Sequence, residues 1–507
     1  MRRGRAWPGW ALVTLAAATR LPLWGATQGE PDSGCILVDI ALWIRHWPHL
    51  NNNNFVYGYF PILSPGYFAF WGRLGRWLAI PGPQLAYWVN GVNLLCELAV
   101  APLLYLIARR FMPEAAAWWA AALYLLAPAY WWLGLEAHPE GPMILFALLA
   151  LDQFLRKGRW HAAAAVGLMS VALLLRCDGI LLLPAFAACA WLQAEPRWRT
   201  IPRALAGATL LGLASGLLFM LGQAAILGQS LGAEHAKTVS VVTRFAIHSS
   251  LFHQLVPLVT APGPAVFGFA AMGWGLLLRR RPQYLALAAA AVPGILFWMP
   301  ITGNVVRHVV ALWLPLMWAG CAGWWMAARR YAVPAALAAV AINFVILPAN
   351  SNVNVYPSPD VFVSHHLSVE RQAEIAAAVE RVEAAAVNGV RPCYLGTGTN
   401  AFFVADLILS PHPAEVRALD DAWQLATWPT GSAWVGEAYT DVGYRRAYAA
   451  CPAVVSLEYA PPAVHTWFMG GELRSSRVYA ALERWAHRAD MREAVATTPP
   501  KGVGDRE

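Results

Sequence analysis

Apolar runs recur along the chain from residue 7 to residue 349, each closed by a short polar or basic stretch. They fall at roughly 7–25, 84–108, 115–135, 140–155, 161–175, 179–194, 204–228, 254–278, 283–301, 306–327 and 333–349. A helix needs about 20 apolar residues to cross a bilayer, so the pattern predicts an α-helical polytopic membrane protein of about eleven spans. The three runs between 140 and 194 are shorter. Short or broken helices are tolerated where backbone lines a protein-enclosed cavity instead of lipid. The polar stretches set the orientation. "MRRGR" (1–5), "RR" (109–110), "RKGR" (156–159), "EPRWR" (195–199), "RRR" (279–281) and "RR" (329–330) all fall on one side of successive spans. By the positive-inside rule that side, with the N-terminus, is cytoplasmic. The start is basic, then apolar, then small, like a secretory signal. Arg20 and the "LPLW" after it interrupt that pattern, so an uncleaved first span is expected.

The outer side then receives the loop 26–83, the turn "LEAHPEGP" (135–142), the loop 229–253 and everything from about residue 350. In the first loop, residues 45–79 mix His, Arg and Asn with aromatics and end in an amphipathic segment carrying Arg73 and Arg76. Such a segment is expected to lie in the interface plane. Beyond residue 349 the pattern changes. "SVERQAEIAAAVERVEAAA" (368–386) has the period of an amphipathic helix, and "PCYLG" (392–396) and "AVVSLEYA" (453–460) read as short strands. Two domains follow: a transmembrane domain over 1–349, and a small soluble α/β extracytoplasmic domain over 350–507 that ends in a disordered tail. "GTGTN" (396–400) is read as an ordinary turn.

Composition agrees. The 507 residues are 58% hydrophobic and 13% charged, against about 25% charged in soluble domains. The net charge of +8 would suit nucleic acid, but the basic residues sit in short clusters between apolar runs. They are anchors, and no nucleic-acid partner is expected. The 26 Trp suggest many helix ends at headgroup depth. Of seven Cys, only Cys393 and Cys451 fall in the outer domain. A disulfide between them and two free thiols are both open.

Candidate chemistry gathers on the outer side. Asp32 and Asp39, in "GEPDSGCILVDIALW" (29–43), stand seven residues apart, so a helix would place both on one face. Either could instead be a solvated or helix-capping acid. Glu136, His138 and Glu140 do not match a zinc spacing, and Pro139 spoils a helical face. Glu97 lies inside a span, where an acid is a functional candidate by default. The plainer reading is a carboxylate hydrogen-bonded within the bundle, to Asn90 or Asn93. Arg176, Arg244, His248, Arg307 and His308 form a cationic group, with Asp178 beside Arg176 in "RCDG" (176–179). Arg307 could snorkel to lipid phosphates or bind one particular phosphate through its paired N–H donors.

These stretches resemble the membrane-embedded GT-C glycosyltransferases, in the branch of aminoarabinose-lipid A transferases and protein O-mannosyltransferases. "TRLPLWG" through "DSG" (19–34) is similar to the family's first span ending in Arg-Leu-Pro followed by an acid. "HWPHL" and "SPGYFAFWGRL" (46–74) are similar to its His-Pro and Pro-Gly-Tyr-Pro stretch. "EAHPEGP" and "LLRCDGILLLP" (174–184) resemble its second outer loop and its Arg-Xaa-Glu-Xaa-Leu-Leu-Leu-Pro stretch. "RHVVALWLP" (307–315) resembles a further Arg-Tyr/His segment ending in Pro. The family's acidic pair is Asp-Glu, where this chain has Asp32-Ser33. Its Arg-Xaa-Glu position is Asp178.

The resemblance implies a glycosyltransferase in the bacterial inner membrane that uses a polyprenyl-phosphate-linked sugar donor and an extracytoplasmic acceptor, inverting the anomeric carbon. It makes Asp32 the catalytic base. Arg307, His308 and Arg176 would hold the departing phosphate. Asp39, Glu136, His138, Glu140 and Asp178 would bind sugar hydroxyls, orient the acceptor or hold a divalent ion, Mg or Mn, which is not a certain requirement. The competing readings are a transporter or flippase of a lipid-linked glycan, and a membrane scaffold. A transporter is expected to show internal repeats, and none is visible.

Overall fold

The computed structural model describes residues 7–21, 63–78, 80, 82–133, 138–156, 158–194, 198–227, 257–298 and 306–343, and four short strand segments between 391 and 457. The predicted spans all meet helix. α1 is Trp7–Arg20, α2 Leu63–Trp77, α3 Gly82–Ala108, α4 Glu114–Leu125 and α5 Pro128–Leu133. α6 is Glu140–Phe154 and α7 Arg159–Leu175; a 3-10 segment, Cys177–Leu182, leads into α8, Leu183–Gln193. α9 is Ile201–Leu227 and α10 Pro264–Arg280. They are followed by α11 (Leu285–Ala289), α12 (Val292–Trp298), α13 (Val306–Val310), α14 (Trp313–Ala327) and α15 (Arg329–Ala341). Several spans read as single helices are broken. The run 115–135 divides into α4 and α5 at Pro128, and 283–301 into a 3-10 turn, α11 and α12. Proline removes a backbone donor and clashes with the preceding turn, so each break has a local cause in Pro128 or Pro293.

Among the described residues two helices are long and apolar enough to cross a bilayer by themselves, through windows 91–108 and 198–225. The second is mostly unburied. Leu205, Leu210, Leu213, Leu217, Leu218 and Leu221 all point away from the protein. An apolar face of that extent on a helix whose backbone is internally satisfied suits lipid contact. The other helices surround a core in which α3 packs on α1, α4 and α6, α7 packs on α6 and α9, and α14 packs on α10 and α4.

Several tryptophans serve the core, while Trp10, Trp77, Trp160 and Trp198 are exposed at or near helix ends. Trp313 and Trp318 are fully buried. Five indoles donate to backbone carbonyls: Trp88 to Trp71, Trp118 to Pro8, Trp274 to Leu316, Trp313 to Leu258 and Trp324 to Phe269, at 2.7–3.1 Å. A buried indole N–H needs an acceptor, and carbonyls on facing segments supply it.

The α10–α14 crossing depends on glycine. A Cβ on Gly323 would stand 1.9 Å from the Gly273 carbonyl oxygen, and one on Gly273 would stand 2.1 Å from that of Gly320. Small residues let membrane helices approach closely enough for dispersion to hold them. Gly323→Ala is therefore expected to cost about 1–3 kcal/mol through overpacking. Gly275 on the same helix meets nothing within 4 Å, and Gly275→Ala is expected to be neutral or slightly stabilising. Thermal unfolding of the two variants in detergent checks the contrast. α10 is also capped from a distance. Asn343 Oδ1 accepts from the Ala265 N–H at 3.0 Å, and its amide donates to the Pro262 carbonyl.

In the C-terminal region the strands β1 (Arg391–Leu395), β2 (Ala418–Leu419), β3 (Ser432–Glu437) and β4 (Ala453–Leu457) form one parallel sheet, ordered β2-β1-β3-β4. β1 and β4 coincide with the two stretches read as strands. The amphipathic pattern at 368–386 and Cys451 lie outside the described residues, as does the side chain of Cys393.

Candidate functional site

Two turns of α3 organise a polar seam that reaches the last residue of α1 and the turn between α5 and α6. Glu97 and Asn93 are four residues apart, so they share a face one turn apart. Both are fully buried. Glu97 is ion-paired with Arg20, the last residue of α1, and neither side chain has any exposed surface. Arg20 also donates to the Leu125 carbonyl at 2.7 Å and to Thr19 Oγ1 at 2.9 Å, and it lies over the Tyr130 ring. One guanidinium thus joins the ends of α1 and α4 to the middle of α3 and to α5. This corrects the expected partner of Glu97. Asn93 instead donates to the carbonyls of Leu133 and His138 at 3.3 and 2.8 Å, fixing both ends of the turn between α5 and α6. An opposite charge outcompetes a neutral amide for a buried carboxylate, and the 77 positions between Arg20 and Glu97 hide the pair from local reading. The side chain of Asn90 lies outside the described residues.

The seam continues through that turn. His138 Nδ1 stands 3.7 Å from Glu140 Oε2, both buried. Glu140, at the first position of α6, is ion-paired with Arg176. Arg176 ends α7 in extended backbone, and its Nε donates to both oxygens of Asp178 at 2.8 and 2.9 Å. The sequence places Glu140 among acids and Arg176 among phosphate-holding cations, but in the fold they form one network. Burial disfavours the charged guanidinium of Arg176, yet Asp178 and Glu140 more than compensate and keep it firmly protonated. Among the described residues Glu97 pairs with Arg20, and Glu140 and Asp178 share Arg176. Among the described residues no group of three or more His, Cys, Asp or Glu is arranged to hold a metal ion.

The second cationic candidate lies across the 3-10 segment. α12 packs against Cys177–Leu182, and α13 packs against α5 and α12. The His308 ring stacks on Trp298 with centroids 4.2 Å apart and planes 18° apart. One turn further on, the Val310 carbonyl accepts from Tyr124, which ties α13 to the neighbourhood of Arg20. Arg307 belongs to α13, while its side chain lies outside the described residues. Asp32, Asp39, Glu136, Arg244 and His248 also lie outside them. The sequence reading missed the Arg20–Glu97 pair and Trp298. Two lone charges of opposite sign near the ends of neighbouring spans were a usable signal for the first.

The fold and the seam describe a polytopic helical bundle with broken helices and a buried polar cluster. A family model, dolichyl-phosphate-mannose-protein mannosyltransferase, matches residues 59–223, about a third of the chain. That match contains His138, Glu140, Arg176 and Asp178. Among solved structures, ArnT from Cupriavidus metallidurans bound to undecaprenyl phosphate is 15% identical, with a TM-score of 0.55 over 88% of this chain and 90% of that one. Its apo state is also 15% identical and gives 0.51 over 89% and 90%. The oligosaccharyltransferase from Archaeoglobus fulgidus, in complex with Zn and sulfate, is more distant. It is 14% identical, with a TM-score of 0.46 over 78% of this chain and 61% of that one. A comparison with curated proteins finds no match. The resemblance to GT-C membrane glycosyltransferases read from the sequence therefore holds, and the transmembrane fold is that of ArnT.

Proposed function

We propose that this protein is an integral-membrane glycosyltransferase that moves a sugar from a polyprenyl-phosphate donor to an extracytoplasmic lipid, glycan or protein. The observation that carries this is the family match over residues 59–223, because that stretch supplies every residue of the buried seam named above except Arg20 and Thr19. The undecaprenyl phosphate bound by the structurally similar ArnT supports the donor class.

In this reading Asp32 removes the proton of the acceptor hydroxyl or amine. The acceptor atom forms its bond to the anomeric carbon as the bond to the phosphate oxygen breaks. The electron pair leaves with the phosphate, which is already charged and needs little protonation. Attack from the opposite face inverts the carbon. Glu140, through the network with Arg176 and Asp178, presents carboxylate to sugar hydroxyls, with His138 beside it. Glu136 and Asp39 serve the same end of the substrate. Arg307 and His308 hold the phosphate in a water-poor setting where such contacts count most. The N-terminus is cytoplasmic, and the strands after residue 390 belong to an extracytoplasmic α/β domain that selects the acceptor.

Purified protein in lipid nanodiscs, given a panel of polyprenyl-phosphate sugars and cell-envelope acceptors with Mg2+, Mn2+ or chelator, is expected to release polyprenyl phosphate and label an acceptor. If no donor is turned over while a lipid-linked glycan crosses the bilayer of reconstituted vesicles, the transporter reading replaces this one.

A further inference from the structure

Five indoles in this bundle reach a backbone carbonyl, whereas Trp298 does not. It ends α12, is only 9% exposed, and its Nε1 has no acceptor among the described residues. Leaving a buried donor unmade costs free energy comparable to a lost hydrogen bond. Trp71 on α2 has the same deficit, but its ring is not part of the group around the 3-10 segment. Trp298 is part of it. It stacks in parallel on His308, makes an edge contact with Phe297 at 5.2 Å, and belongs to the helix that packs on the segment carrying Asp178.

We propose that Trp298 is a substrate-positioning residue whose Nε1–H donates to a phosphoryl oxygen of the lipid-linked donor. The inference rests on the glycosyltransferase reading and adds a division of the site. The carboxylate-rich seam takes the sugar, and the Trp298–His308 stack takes the phosphate. The separation keeps the anion away from Glu140 and Asp178, with which it would compete for Arg176. An indole N–H brings a directed donor without a further charge, and the stack fixes the plane of the His308 ring beside it. Arg307 precedes His308 in α13.

Trp298→Phe keeps an aromatic ring against His308 and deletes only the donor. Replacement by 3-benzothienylalanine does the same at full ring volume and guards against a folding defect. Full-length protein is titrated with undecaprenyl phosphate and, separately, with undecaprenol, and bound lipid is counted by native mass spectrometry. Both variants are expected to lose about 10- to 100-fold in affinity for the phosphate lipid, the worth of one hydrogen bond to a charged group, with undecaprenol affinity unchanged. Equal binding of undecaprenyl phosphate by wild type and the 3-benzothienylalanine protein overturns the proposal and leaves the glycosyltransferase reading intact. A parallel loss for both lipids also overturns it, since that is the mark of a structural role. A wild type that does not prefer the phosphate lipid to the alcohol removes the donor class and this contact together.

Discussion

Glu97→Leu is expected to be the most destabilising single change in the transmembrane core, at about 3–5 kcal/mol. Its partner Arg20 then loses that carboxylate while fully buried, and a guanidinium cannot shed its proton. The Leu125 carbonyl and Thr19 would still accept from it, but both are neutral. Arg20→Met is expected to cost less, because a carboxyl left alone can take up a proton and become neutral. The double variant Arg20→Met/Glu97→Leu should recover most of the loss, since apolar residues of similar volume often replace a buried ion pair without penalty. Unfolding midpoints of the three proteins in one detergent give the order. Additive losses in the double variant would show that the pair contributes nothing as a pair. A double variant that is stable yet inactive would show that the pair is kept for geometry, holding the end of α1 and so the start of the loop toward Asp32.

Asp32→Asn is the second large effect. On the glycosyltransferase reading it removes the base while keeping shape, and general-base assistance contributes about 10²- to 10⁴-fold. kcat should fall by that factor with little change in donor affinity. Asp39→Asn should change turnover far less if Asp39 only supports the substrate. Initial rates of sugar transfer at saturating donor measure both. Unchanged turnover in Asp32→Asn would remove the base assignment while leaving the enzyme class in place.

The transmembrane fold was legible because lipid enforces a simple rule. Every backbone polar group must be satisfied within its segment, so apolar runs of bilayer length can only be helices. The breaks were less legible. Pro128 and Pro293 mark two of them, but a proline inside a membrane run is also tolerated by kinking, so the residue alone does not decide. The polar seam was half legible. Glu140, His138, Arg176 and Asp178 stood out one by one, as charge near the end of an apolar run must. Their assembly did not, because it depends on α6 packing on α7 and on the extended backbone at Arg176, neither of which leaves a local mark. Trp298 was invisible because the chain is rich in tryptophan. Only the unmet hydrogen bond separates it from the indoles that fasten helices together.

The lengths of the central helices bear on the membrane itself. α6 and α14 have 15 residues and α7 has 17, so each reaches about 22–26 Å at about 1.5 Å per residue. The hydrocarbon of a typical bilayer is about 30 Å thick. Most of α6 and α14 is buried in the protein, so their shortness is met by neighbouring helices and not by lipid. The helix that does face outward, α9, has 27 residues and reaches about 40 Å, so the full thickness of the bilayer is matched at the rim while the short helices are kept for the centre.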